Sequence, residues 1–161
     1  MRFVDSIRGK VGEELFVSDW FPVTQVDVDV FAAVTRDWDY MHNDPKWAAD
    51  NGPWGATIAH GFYLLSLVPY FKCQAGFPTI ANNDEYIVNY GVDKVRFVEP
   101  VRIGDNLRAR IRLLAMNEKK PGRELVRTGI VYETERCGDR PHMVAEMLTL
   151  CVYGEAYTDA R

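Results

Sequence analysis

The spacing of apolar residues changes character about half-way along the chain. In the C-terminal half Leu107, Ala109, Ile111, Leu113 and Ala115 alternate with Arg108, Arg110 and Arg112. That period of two belongs to a strand with one dry and one wet face. Glu118 to Gly122, with its Pro121-Gly122, and Cys137-Gly138-Asp139-Arg140-Pro141 both read as turns. They bound two further strands, Leu125 to Glu135 and Met143 to Tyr153, and a shorter one at Lys94 to Val98 precedes Pro100 and the Ile103-Gly104-Asp105 turn. In the N-terminal half, Leu15 to Pro22 reads as a strand and helical signals follow. Thr24 with Asp27 three residues on has the form of a capping box, predicting a helix over 25–36. Asp37 to Asn43 has no helical period and reads as a loop. Asp44-Pro45 then supplies an N-cap and a proline at the first helical position, so a short helix, Lys46 to Asp50, is expected before Asn51-Gly52-Pro53 stops it.

A Gly-rich turn, Gly52 to Gly55, leads into ATIAHGFYLLSLVPYF, Ala56 to Phe71, which carries no formal charge when His60 is neutral. It is shorter than the roughly 20 apolar residues that span a bilayer and includes Ser66 and Pro69. A segment apolar nearly all round but too short to span is a buried helix, expected over 58–72. Gln74 to Asp84 is turn-rich and reads as a loop. One strand, several helices and then a run of antiparallel strands make an α+β plan, read as a single domain over 1–161. The dry face of such a sheet needs a cover, and the apolar helix is the natural one.

Composition narrows the function. The net charge of −4 and pI of about 5.4 lack the basic face that displaces counterions from nucleic acid. Cys73, Cys137 and Cys151 are odd in number and far apart, which disfavours a disulfide framework or a thiolate zinc site and suits a reducing cytoplasm. No cationic and apolar leader opens the chain. Zinc-type His spacing, a G-x-S-x-G elbow, a P-loop and G-x-G-x-x-G are all absent, so neither a metal nor a redox cofactor is expected. What remains is a concentration of polar groups beside the apolar helix: Asp37, Asp39, His42, Asn43, Asp44 and His60-Gly61. A carboxylate and an imidazole facing one water can perform general acid–base work near neutral pH. A helix starting near His60-Gly61 offers free N–H groups to a developing oxyanion. Structural roles compete for the same residues: Asp39 and Asp44 as caps, His60 as a hydrogen-bonding residue, His142 as an idle group at a turn, the arginine row as a solvated face. Trp38, Tyr40, Trp47 and Trp54 are either pocket walls or packing.

Thr35 to Pro45, TRDWDYMHNDP, followed by Gly55 to Phe62, GATIAHGF, resembles the signature of the MaoC-like dehydratases, which include the (R)-specific enoyl-CoA hydratases. Asn89 to Phe97, NYGVDKVRF, with Pro100, Val101 and Gly104, is similar to the nodulation-protein-N-like branch. The likeness covers about residues 13–153. It implies a hotdog fold that dimerises through its edge strands into one continuous sheet. It also implies reversible hydration of a trans-2-enoyl thioester, with coenzyme A entering only as part of the substrate. Asp37 and His42 would be the catalytic pair and Gly61 N–H the oxyanion donor; Asp39, Tyr40, Trp54 and His60 would line or modulate the pocket. Arg36, Asp39 and Tyr40 depart from the family's usual glycine, asparagine and proline. A second carboxylate at Asp39 would favour the charged form of His42. Alternatives left open are a lyase eliminating a group other than water and a non-catalytic thioester-binding protein. A thioesterase is disfavoured because Phe62 to Phe71 contains no Asp or Glu.

Overall fold

The computed structural model describes residues 1–78 and 85–158. Six strands, β1 (Glu14–Val17), β2 (Phe21–Pro22), β3 (Glu85–Phe97), β4 (Asn106–Lys120), β5 (Arg123–Thr134) and β6 (Met143–Tyr153), form one antiparallel sheet. Their order is β1-β4-β5-β6-β3, with β2 also beside β4. The helices are α1 (Phe3–Ile7), α2 (Gln25–Thr35), α3 (Tyr40–Asn43), α4 (Pro45–Asn51), α5 (Gly61–Ser66), α6 (Val68–Gln74) and α7 (Glu155–Thr158). The inner face of the sheet presents Leu107, Ala109, Ile111, Ile130, Tyr132, Met143, Ala145 and Met147. These pack with Tyr63, Leu64, Val68 and Phe71 of α5 and α6 into one core. This is the hotdog arrangement, a sheet around a central helix.

The capping box is realised: Thr24 Oγ1 accepts from Asp27 N–H while the Asp27 carboxylate accepts from Thr24 N–H, and α2 follows. Asp44 likewise caps α4 through Trp47 N–H at 2.9 Å, with Pro45 at the first helical position. The β4–β5 turn falls at Pro121-Gly122, where Gly122 takes φ +71°.

Four expectations need correction. The apolar helix is shorter at its start and interrupted. Ile58 pairs with Arg102 and Ala59 N–H bonds Val101 O at 2.8 Å, so residues 58–60 are extended and helix begins only at Gly61. Pro69 has no N–H to give Leu65 O, and Leu67 N–H turns to Leu64 O instead, which separates α5 from α6. The strand expected at 15–22 is two pieces. The one at 94–98 begins nine residues earlier, at Glu85, and ends at Phe97. Bulges at Asn89/Gly91 and Asp93/Arg96 shift its register, and Lys94 takes φ +50°, which blurs the period of two. Of the loop expected at Gln74 to Asp84, residues 79–84 lie outside the described residues, and Gln74 ends α6. The arginine row is not merely solvated. Arg108 and Arg110 share Glu133, Arg110 also pairs with Glu14 at 2.9 Å, and the Arg108 guanidinium lies 4.4 Å over Trp20.

Candidate active site

The site is assembled by short elements at the N-terminal end of α5. Arg36 closes α2 in the left-handed conformation, φ +67°, with its N–H on Ala32 O. Glycine adopts that backbone without a Cβ penalty, so the departure from glycine here carries strain of about 1 kcal/mol. The chain then passes through Asp37 to Asp39, whose carboxylate accepts Met41 N–H at 3.0 Å and caps α3. One turn of helix thus replaces part of the expected loop and carries His42. The turn is tied down from both sides. Gln25 donates to His42 O at 2.8 Å and accepts from Thr57 Oγ1 at 2.6 Å, while Asn43 donates to Asp29 at 2.7 Å. Gln25, Asp29 and Thr57 were not singled out in the sequence. The only hint is the i, i+4 spacing of Gln25 and Asp29, which puts both on one face of α2.

Asp37, His42 and His60, scattered over 24 positions, converge until a donor atom from each lies within 4.8 Å of the other two. His42 Nδ1–H donates to Ile58 O at 2.7 Å, because a carbonyl can only accept, and this leaves Nε2 with its lone pair. His60 is 2% exposed, donates from Nε2 to Asp37 O at 3.0 Å, and stacks on His42 with ring centroids 3.8 Å apart. Phe31 backs His60 at 5.2 Å. Burial lowers the His42 pKa below the ordinary histidine value of 6.5; the Ile58 carbonyl opposes that, His60 adds to it, and Asp37 and Asp39 oppose it. His42 is therefore a neutral base at pH 7, not the imidazolium expected from a second carboxylate. The same two imidazoles and carboxylate form the donor set that a divalent cation such as zinc accepts, a grouping hidden by their sequence spacing. Gly61 is the first residue of α5. The helical ladder starts with Leu64 N–H on His60 O, which leaves Gly61 N–H outside it.

The chain matches the MaoC-like domain model over residues 6–135. It belongs to the MaoC-like dehydratase family. It is 35% identical to nodulation protein N of Rhizobium leguminosarum bv. viciae over 144 residues, 89% of this chain and 88% of that one. It is also 35% identical to 3-hydroxyacyl-thioester dehydratase Z of Mycobacterium tuberculosis over 145 residues, 90% and 93% of the two chains. The (R)-hydratase of A. caviae superposes with a TM-score of 0.70 at 24% identity, covering 88% of this chain and 96% of that one, a likeness of fold.

Within this MaoC-like domain, the remaining candidates separate. Asp39 faces its own helix as a cap. Trp38 and Tyr40 are 58% and 66% exposed, and Tyr40 leans on Trp47 at 5.8 Å. Trp54 lines a different pocket, of about 400 Å³, with Arg102, Asp105, Arg136 and His142. His142 is buried, held by Thr134 Oγ1 at 2.9 Å and Glu99 O at 3.2 Å, which corrects the expectation of an idle exposed ring. No helix among the described residues is long and apolar enough to cross a membrane.

Two predictions follow from local geometry. Asp39→Asn keeps a capping oxygen, so its melting temperature and pH–rate profile should stay near wild type, whereas Asp39→Ala should lose about 1 kcal/mol. A displaced acid limb in the Asn variant would return Asp39 to the pocket. A Cβ on Gly61 would lie 2.8–2.9 Å from the Phe97 ring. Gly61→Ala is expected to cost about 1–3 kcal/mol in urea denaturation. The loss should be partly relieved in the Gly61→Ala/Phe97→Ala double variant; strict additivity would exonerate the contact.

Proposed function

We propose that this protein hydrates trans-2-enoyl thioesters reversibly to 3-hydroxyacyl thioesters. The observation that carries the reading is the meeting of Asp37 with a neutral, oriented His42 beside the start of α5. A water held between the Asp37 carboxylate and His42 Nε2 loses a proton to this pair as its oxygen bonds to the β-carbon. Electron density moves onto the thioester oxygen, where Gly61 N–H donates to the enolate, a contribution of about 3–4 kcal/mol where such donors have been removed. The pair then returns one proton to the α-carbon, completing the addition of water without a resident metal or redox cofactor. In this scheme His60 is a positioning residue: it holds the Asp37 carbonyl and stacks on His42.

The reading extends to assembly. β3 is an edge strand whose outer positions Val88, Tyr90 and Val92 are 47%, 61% and 43% exposed. Pairing with β3 of a second copy would cover that edge and make a homodimer with one continuous sheet. The three cysteines are all free, in keeping with a reducing cytoplasm.

The test is turnover of crotonyl-CoA, followed by loss of the enoyl-thioester absorbance across a range of pH. Hydration with an acid limb below pH 6.5, where His42 becomes protonated, is the expected result. An acid limb above 6.5 would contradict a buried neutral base. Failure with crotonyl-CoA and with longer and branched enoyl-CoAs would move the assignment to another eliminated group or to thioester binding alone.

A further inference from the structure

The cluster at the start of α5 can do a second kind of chemistry besides acid–base work. Asp37, His42 and His60 are the one group of three metal-type donors among the described residues, with a donor atom from each within 4.8 Å of the other two. Both imidazoles are held as metal-binding histidines are held. Each gives one N–H to a backbone carbonyl, His42 Nδ1 to Ile58 O at 2.7 Å and His60 Nε2 to Asp37 O at 3.0 Å. That bond fixes the ring and leaves a lone pair on its other nitrogen. On His42 the lone pair is at Nε2. On His60 it is at Nδ1, which is buried without a hydrogen-bond partner. A buried acceptor that meets no donor is unfavourable, and a cation would satisfy it.

Charge and access favour the same occupant. Among the described residues no lysine or arginine pairs with the Asp37 carboxylate, which lies 4.0 Å from His60 Nε2. The Asp37 side chain is exposed, so an ion reaches the cluster from solvent without crossing the core. Two imidazoles and a carboxylate, with a fourth position for water, suit zinc, which takes N and O donors at about 2.0–2.2 Å. Calcium and magnesium instead favour about six or more oxygens. Tetrahedral bonds of the zinc length hold donors roughly 3.4 Å apart, so the three have about an ångström to close. The rings stack 3.8 Å apart at an inclination of 29°, and must turn for their in-plane lone pairs to meet at one ion. The terminal torsion of histidine is broad, which permits the turn, but the stack is lost. An ion that has to undo packing is one that the site captures and releases, not a resident one.

We infer that Asp37, His42 and His60 form a reversible zinc site, and that zinc bound there switches the hydration off. The inhibitory half rests on the thioester chemistry proposed above. Zinc takes the Asp37 carboxylate and the His42 Nε2 lone pair, the two groups that hold the attacking water and accept its proton. The ion and the catalytic water therefore compete for one pair of side chains, and the zinc-loaded site has no base left.

The experiment titrates zinc chloride, and cobalt(II) chloride as its coloured counterpart, into chelator-treated protein free of any histidine tag. Wild type should bind one ion per chain, with the visible absorption of four-coordinate cobalt. Loss of an outer partner of a ligand costs about 10- to 100-fold in metal affinity, so loss of a ligand itself should cost about 100-fold or more. That loss is expected in Asp37→Asn and in His60→Gln, whose amide keeps an N–H for Asp37 O. If His60→Gln melts early, Asp37→Asn alone carries the comparison. Crotonyl-CoA hydration by wild type should fall in step with zinc occupancy and return fully with EDTA. Absence of binding, equal affinity in wild type and variants, or hydration unchanged or faster at saturating zinc would each overturn the inference. If the metal-free protein hydrates no enoyl-CoA, the hydratase reading fails instead, and the cobalt titration alone decides the site.

Discussion

Asp37→Asn and His42→Ala should each lower kcat/KM for crotonyl-CoA about 10²- to 10⁴-fold, the range that a positioned acid–base group supplies. Because both groups act on one water, removing the second after the first should cost little more. The double variant is therefore expected near the worse single variant rather than at their product. Asp37 makes the cleaner probe. Its side chain is 59% exposed and comes no nearer to His60 than 4.0 Å, so the Asn variant should melt with wild type while losing activity. His42→Ala also forfeits the bond to Ile58 O, and its activity is best read beside its melting curve. Full activity in Asp37→Asn would remove the carboxylate from the mechanism. Multiplicative losses would mean that the two side chains serve separate steps.

The largest expected stability change lies at Lys72 in α6. Lys72 titrates near 8 in the folded protein against 10.5 as a free side chain, with burial as the cause. Such a depressed lysine penalises the native state by about 3 kcal/mol at pH 7, at 1.36 kcal/mol per unit. Between pH 8 and 10.5 the unfolded chain binds the extra proton, so stability attributable to Lys72 rises with pH through that window. Cys151 and Tyr63, pushed up to about 12 by burial, and Tyr132, raised by the same cause, act in the opposite direction. They stay protonated in the fold while the unfolded thiol and phenols ionise from pH 9 upward. The Lys72 effect is therefore isolated as the difference between wild type and Lys72→Met. The variant should be more stable by about 3 kcal/mol at pH 7, on the order of 10 °C in Tm, with the gap closing towards pH 10. A variant no more stable than wild type would show that the ammonium is well solvated or compensated in the fold.

Local rules read directly from the residues account for a good part of this molecule. The Thr24–Asp27 capping box, Asp44-Pro45 and Pro121-Gly122 mark boundaries where the determining contacts lie within four residues. The alternation from Leu107 to Ala115 is equally legible, since its inner positions face the core and its outer ones face water and Glu133. β3 was harder because it carries apolar residues on its outer side and bulges that break the period. The same motifs that place the chain among the MaoC-like dehydratases also pointed to Asp37, His42 and Gly61.

What only the tertiary structure decided is how those residues stand to one another. Whether Asp39 joins the pocket or caps α3, and whether His142 is idle or buried, depends on which backbone group comes within hydrogen-bonding distance. His42 is held neutral by burial and by the neighbouring His60, against the pull of the Ile58 carbonyl, and its support comes from Gln25 and Thr57, residues 17 positions before it and 15 after. Ile58 to His60 carry a helical pattern yet lie extended, because pairing with residues 101–103 satisfies their backbone better than one more helical turn. Residue types and short spacings settle local geometry, whereas burial and protonation arise from contacts between segments far apart in the chain.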